Sequence, residues 1–341
     1  MTSKEKNTGK LSNLISGGSK QNLIIIISLI ILIALFGVLN PSFLDKYNIV
    51  SMAQSLAPYA ILGLGVTFVI ATGGIDLSIG TVLIASSVVA GKLYMIGMPL
   101  WATIPVMIAI GTLFGFINGL LVAKLKLPPF IATLGTMMFS RGLSALIVAV
   151  PNVLYPDGSW FNSIFSRYNG LPVGIFWVIG FMLLCMYVMY KTKVGRYILA
   201  IGSNEEATRL SGINTDTYKV IAYTISGLGA GIAAIFWSAS FVTVASATGN
   251  GMELDAIAGV YIGGTSAAGG IASVSGTVIG SLMLVIIRSG LNFALANFNL
   301  NLNSTYVTYV LTGIIVIVAV FMDVIKNKNA SKAVKGKKKG K

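Results

Sequence analysis

The chain has 341 residues, 55% of them hydrophobic and only 10% charged, with a mean hydropathy of +0.85; soluble domains carry about 25% charged residues, so water is not its main solvent. The single cysteine, Cys185, excludes an internal disulfide framework and a thiolate metal site, and the absence of histidine excludes the usual zinc sites and imidazole acid–base chemistry. A net charge of +14 would suggest nucleic acid in a soluble protein, but in a chain this apolar it reflects the basic bias of cytoplasmic loops, and no nucleic-acid partner is expected.

A basic extension over residues 1–20, with Lys4, Lys6, Lys10 and Lys20, precedes the apolar run Leu23 to Leu39. That run ends at Asn40-Pro41 without a small-x-small cleavage site and reads as an uncleaved first span. Nine further apolar segments follow at about 53–72, 78–96, 100–123, 130–150, 172–190, 218–242, 254–267, 274–298 and 305–325. The expectation is an all-α polytopic membrane protein of about ten transmembrane helices, with a transmembrane domain over 21–325 and a Lys-rich tail over 326–341. The 254–267 segment is shorter than the about 20 residues a crossing requires, as half of a broken helix would be.

Charge sets the expected orientation. With the amino terminus inside, the inner connections hold Lys124 and Lys126, then Lys191, Lys193, Arg196, Arg209 and Lys219, then the lysines from Lys326 onward. The outer connections hold only Lys46, Lys92 and Arg167. Both termini are therefore expected in the cytoplasm and the chain in the cell membrane. The longest outer connection, Pro151 to Leu171, carries Tyr155, Trp160, Phe161 and Tyr168, read as an interfacial aromatic belt. A faint internal echo links Gly73-Gly74-Ile75 and Ser78-Ile79-Gly80-Thr81-Val82 to Gly269-Gly270-Ile271 and Ser275-Gly276-Thr277-Val278.

Several polar residues fall within or beside the spans, where they are costly unless paired or used. Asp76, next to Gly73, Gly74 and Ser78, fits either a cap of the third span or a group that gates or touches cargo. Arg141 lies mid-span and should face the bundle or an aqueous path. Asn118, Thr133 and Ser140 could hydrogen-bond a polyol or bind helices together. Glu253 and Asp255 stand at the start of the short eighth span, where acids complement a helix N-terminus. Together these eight residues are the candidate path or gating set. The spacings Gly63-x-Gly65, Gly111-x3-Gly115-x3-Gly119 and Gly227-x-Gly229-x-Gly231 allow close helix approach.

The soluble stretch between the sixth and seventh spans is the most informative. Ser203 as N-cap, Glu206 three residues later and Gly212 as the left-handed terminator predict a short helix of about eight residues, roughly 12 Å long. So short a helix is marginal alone, which suggests a docking rod at the inner face.

Glu206-Ala207-x4-Gly212 resembles the E-A-A-x3-G coupling motif of binding-protein-dependent ABC import permeases, with Thr208 in place of the second alanine. The surrounding G-R-x3-A-x-G-x-N-x2-A-x3-S-G-I string is similar to that of the ribose-type monosaccharide permeases. So are Thr72-Gly73-Gly74-Ile75-Asp76-Leu77-Ser78-Ile79-Gly80, Pro129-Phe130-Ile131-Ala132-Thr133-Leu134-Gly135 with Arg141-Gly142, and Glu253-Leu254-Asp255-Ala256-Ile257-Ala258 with Gly263-Gly264-Thr265-Ser266 and Gly269-Gly270. The resemblance covers roughly residues 40–325. It implies a homodimer of permeases in the lipid bilayer, a cytoplasmic ABC ATPase that binds ATP and Mg, and an extracytoplasmic sugar-binding protein. It also implies contacts to the ATPase from Ser203, Asn204, Glu205, Glu206, Ala207, Arg209 and Gly212. The chain has no G-x4-G-K-[ST] sequence, so no catalysis and no bound cofactor is expected of it. The residues alone leave open an ion-coupled secondary transporter, a scaffold without transport, and a cargo such as a nucleoside or other small solute.

Overall fold

The computed structural model describes residues 25–148, 152–245, 248, 249 and 251–297, with positions 306, 307, 310–314, 317, 318 and 321. The basic extension and the Lys-rich tail lie outside the described residues, as does most of the predicted tenth span. The chain runs through α1 (Ile25–Leu39), a 3-10 turn (Pro41–Leu44), α2 (Lys46–Ala71), α3 (Ile79–Met95), α4 (Leu100–Ala123) and α5 (Pro129–Val148). It continues through β1 (Asn152–Leu154), α6 (Trp160–Phe165), α7 (Gly174–Lys191), α8 (Lys193–Ser203), α9 (Glu205–Leu210), α10 (Thr215–Ser240), β2 (Thr243–Ala245), α11 (Met252–Ile262) and α12 (Val274–Asn297). Six of these, α2, α4, α5, α7, α10 and α12, are long and apolar enough to cross a membrane; α1 and α3 are shorter and equally apolar. The chain is a multi-pass membrane protein.

The core is built on α2 and α10. Every residue of α2 from Leu56 to Ala71 except Tyr59 is buried, while α5 and α7 leave Phe130, Ile131, Phe139, Phe176, Leu183 and Leu184 exposed, as helices against lipid do. Glycine spacing makes the centre possible. A Cβ on Gly65 would lie 3.2 Å from Gly229 Cα, and one on Gly115 would lie 2.8 Å from Gly227 Cα, so α10 rests backbone to backbone between α2 and α4. The small-residue spacings in the sequence thus meet one another across helices.

The two ends of the bundle differ. At one end β1 and β2 form an antiparallel ribbon with Val153 opposite Val244; Lys46, Lys92 and Arg167 lie here. At the other end are α8, α9 and the start of α10, with Lys124, Lys126, Lys191, Lys193, Arg196, Arg209 and Lys219. We refer to these as the ribbon end and the basic end.

One expectation is corrected. The aromatic residues of 151–171 do not all form a belt. Tyr155 and Phe161 are buried and stack on Tyr94 and on each other, and the Tyr155 hydroxyl donates to Ser87 O at 2.5 Å. They form a small core that closes the ribbon end; Trp160 and Tyr168 stay exposed. Residues 193–203, ahead of the predicted rod, form the amphipathic helix α8, started by Thr192 and burying Gly195, Ile198 and Ile201.

Candidate translocation and coupling sites

After α2 the chain turns at Gly73, whose φ of +80° suits glycine, and re-enters the bundle to start α3 at Ile79. Asp76 on this segment is 1% exposed. Its carboxylate accepts from the Ser78 amide at 3.0 Å, the Ser78 hydroxyl at 2.7 Å and the Ser226 hydroxyl at 2.9 Å. Asn118 Nδ2 donates to Ser78 Oγ at 2.8 Å and lies 3.5 Å from Asp76. The Tyr223 hydroxyl donates to Ile75 O at 3.1 Å. An acidic group among neutral donors from α3, α4 and α10 is thereby held without a cation. Asp76 does not cap α3: Ser78 occupies the N-cap position without a side-chain cap bond, and Asp76 accepts from the Ser78 N–H two residues on, ahead of the helix.

The same cluster continues upward. Thr81 Oγ1 accepts from the Ser140 hydroxyl at 2.9 Å, tying α5 to α3. Thr133 is fully buried and donates to Pro129 O in its own helix, so it joins nothing else. Arg141 is half-buried, with no carboxylate at ion-pair distance among the described residues. Asp76, Ser78 and Asn118 thus form one buried polar cluster, and Ser140 reaches α3 at Thr81.

Glu253 and Asp255 do lie in the first turn of α11, as expected. They are not at an outer surface. Glu253 sits against the first turn of α3, where a Cβ on Gly80 would lie 3.0 Å from Glu253 N; the two helix starts meet inside the bundle. Its Oε1 accepts from Gly251 N at 3.2 Å, and Oε2 has no partner among the described residues. Asp255 belongs to a different cluster. It pairs with Arg288 of α12, while Arg288 also donates to the Tyr59 hydroxyl at 2.7 Å and lies over the Tyr59 ring at 5.2 Å. Thr312 completes the group at 3.4 Å from Asp255. Taking a charge out of water into the membrane interior is costly unless it is matched, and here the match is internal. No local pattern marked Ser226, Tyr59 and Arg288 as the partners, because each lies at least 33 positions from the group it serves.

At the basic end the short rod is present with a shifted start. Asn204, not Ser203, is the N-cap: its backbone is extended and its side chain accepts from Ala207 N at 2.9 Å. Ser203 ends α8 and donates to Leu199 O at 3.0 Å. Asparagine caps as well as serine does, and the break between α8 and α9 requires an extended residue at 204. Glu206 therefore stands one position nearer the start than predicted, and α9 has six residues, about 9 Å. Gly212 ends the turn with φ +83°, as expected.

Glu205 fastens the rod to α10, accepting from Lys219 Nζ at 2.6 Å, Arg209 at 3.0 Å and Thr215 at 3.3 Å. Burial pushes its pKa up, but the Lys219 bond and the charges of Lys219 and Arg209 outweigh this and hold it below the usual range. Asp216, in the first turn of α10, accepts from Lys126 Nζ at 2.6 Å. Thr208, the departure from the resembled motif, faces inward at 6% exposed and donates to Asn204 O. Glu206, Ala207 and Leu210 face outward, Leu210 at 83% exposed.

The two glycine echoes meet each other. Gly270 N donates to Ala71 O, and a Cβ on Gly269 would lie 2.7 Å from Gly73 N and 3.0 Å from Gly202 Cα. The end of α8 thus packs directly on both re-entrant turns.

Residues 48–320 match the family model described as branched-chain amino acid transport system / permease component. The chain is 37% identical over 302 residues to a ribose import permease protein of Haemophilus influenzae, covering 87% of this chain and 91% of that one. It is 36% identical to the ribose import permease protein of Bacillus subtilis, over 90% and 94% of the two chains. With the fructose import permease protein of Rhizobium meliloti it shares 32% identity over 88% and 84%. No solved structure matches. Coverage this broad at this identity places the chain in the branched-chain amino acid transport system / permease component family of ABC import permeases.

Proposed function

We propose that the chain is the membrane subunit of an ATP-driven importer for a monosaccharide, ribose or a similar pentose or hexose, working as a homodimer in the cell membrane. It is a permease subunit and not an enzyme; its family implies an ABC ATPase and an extracytoplasmic binding protein as partners, with ATP and Mg held by the ATPase. In this reading the chain crosses ten times with both termini in the cytoplasm, the basic end faces the ATPase, and α9 is the coupling helix. The observation that carries it is the seating of α8–α9. The outward face of α9 is free for a partner, Glu205 binds the rod to α10, and Gly202 rests on both re-entrant turns. Closure of the two ATPases would move α9, and α8 would pass that motion to the turn that holds Asp76. Alternating access then follows by rocking about the dimer path.

The cargo reading rests on the relatives named for ribose and fructose. The family description also names branched-chain amino acids. A zwitterion needs charges to answer its own; Asp255 and Arg288 already answer each other, so the sugar reading rests on the relatives. ATP hydrolysis by the assembled complex, with its binding protein, against a panel of pentoses, hexoses, nucleosides and L-leucine tests this directly. Stimulation by one sugar is expected. Stimulation by L-leucine alone, or uphill transport without any ATPase, would overturn the reading.

A further inference from the structure

A cavity of about 240 Å³ lies within the protomer, near the ribbon end, between α2, α10 and α12. It is separate from the Asp76 cluster. On α2 its wall is Ser51, Ser55 and Tyr59, spaced four apart and so on one helix face. On α10 it is Trp237 and Phe241, ring centroids 4.3 Å apart. On α12, Arg288, Ser289 and Asn292 complete it.

Apolar ring faces beside hydroxyl and amide groups are what a sugar ring requires, because its C–H faces are apolar and its rim is all hydroxyl. The volume is slightly below the roughly 300–1,000 Å³ of pockets for drug-sized ligands, which suits one small ring. Charge narrows the ligand further. The Arg288 guanidinium is answered by Asp255, leaving no net countercharge for a carboxylate or phosphate. The polar groups of the wall are thus the Ser51, Ser55, Tyr59 and Ser289 hydroxyls and the Asn292 amide, all neutral.

We propose that this cavity is a subsite for one neutral monosaccharide ring, received at the ribbon end before it enters the path between the two protomers. The proposal rests on the importer reading above and adds to it a named site inside each protomer.

The test uses the permease–ATPase complex with its binding protein in proteoliposomes, with Ser51→Cys introduced on a Cys185→Ser background. Labelling of the new thiol by a methanethiosulfonate reagent is followed with D-ribose, D-fructose or L-leucine. A transported sugar should slow labelling by about tenfold near saturation, and L-leucine should not. Ser55→Leu, which fills the cavity, should raise the half-saturating sugar concentration for transport by about tenfold, and Ser55→Thr should restore it. Unprotected labelling in a complex that still transports the same sugar would overturn the subsite while leaving the importer reading intact. A complex that transports neither sugar, with L-leucine as the protecting solute, would overturn both.

Discussion

The backbone amide of Gly270 donates to Ala71 O across 3.0 Å, joining the turn after α2 to the turn before α12. Both turns re-enter the bundle, and Gly202 at the end of α8 sits against the joint. A motion of α8–α9 therefore reaches the Asp76 segment and the α11–α12 link through one contact.

Gly202→Ala tests that joint. A Cβ there would overlap Ala71 O and Gly270 N, both backbone atoms that have little room to give. Overpacking of this kind costs about 1–3 kcal/mol. The variant should melt at a lower temperature in detergent, and sugar-stimulated ATP hydrolysis should fall more than hydrolysis without sugar. Unchanged stimulation would mean that α8 does not transmit force at this point.

Asp76→Ala should be markedly destabilising, because the Ser226 and Ser78 hydroxyls and the Ser78 amide lose their acceptor in a buried site. Each orphaned group costs about 1–3 kcal/mol. Asp76→Asn keeps one acceptor oxygen and should retain more stability. A thermal-melting double-mutant cycle of Asp76→Asn with Ser226→Ala should return a coupling of about 0.5–3 kcal/mol; additivity would contradict the contact.

The Arg288–Asp255 pair predicts an asymmetry. Arg288→Met alone leaves Asp255 buried without its cation, a loss of about 3–5 kcal/mol. Adding Asp255→Asn should recover much of it. Thermal unfolding of the single and double variants in the same detergent reads this; a double variant less stable than Arg288→Met would count against the pairing.

The attachment of α9 to α10 should depend on pH. Glu205 has a folded-state pKa below its ordinary 4.5, so its contribution is complete above that value and is lost as pH falls through the lower folded one. Lys219→Met removes the strongest partner. It should bring the acid loss to higher pH, and hydrogen exchange of residues 205–210 should quicken. Since Glu205 is partly solvated, the effect should shrink in high salt.

The sequence by itself determined the solvent, the positions of most spans and the side of the basic residues. Long apolar runs and charged connections are local properties, and α4 begins and ends where its run does. The rod between the sixth and seventh spans was legible from Glu206 and Gly212, but not its register, since Ser203 and Asn204 are both good caps and only the end of α8 chooses between them. Tertiary structure alone decided the partners of the buried charges. Asp76 finds Ser226 across 150 positions, and Asp255 finds Arg288 across 33, because burial forces a charged group to take whatever donor the packing brings to it. It also decided that the two glycine blocks touch, since contact between distant turns depends on how helices without side chains at their crossings can close together.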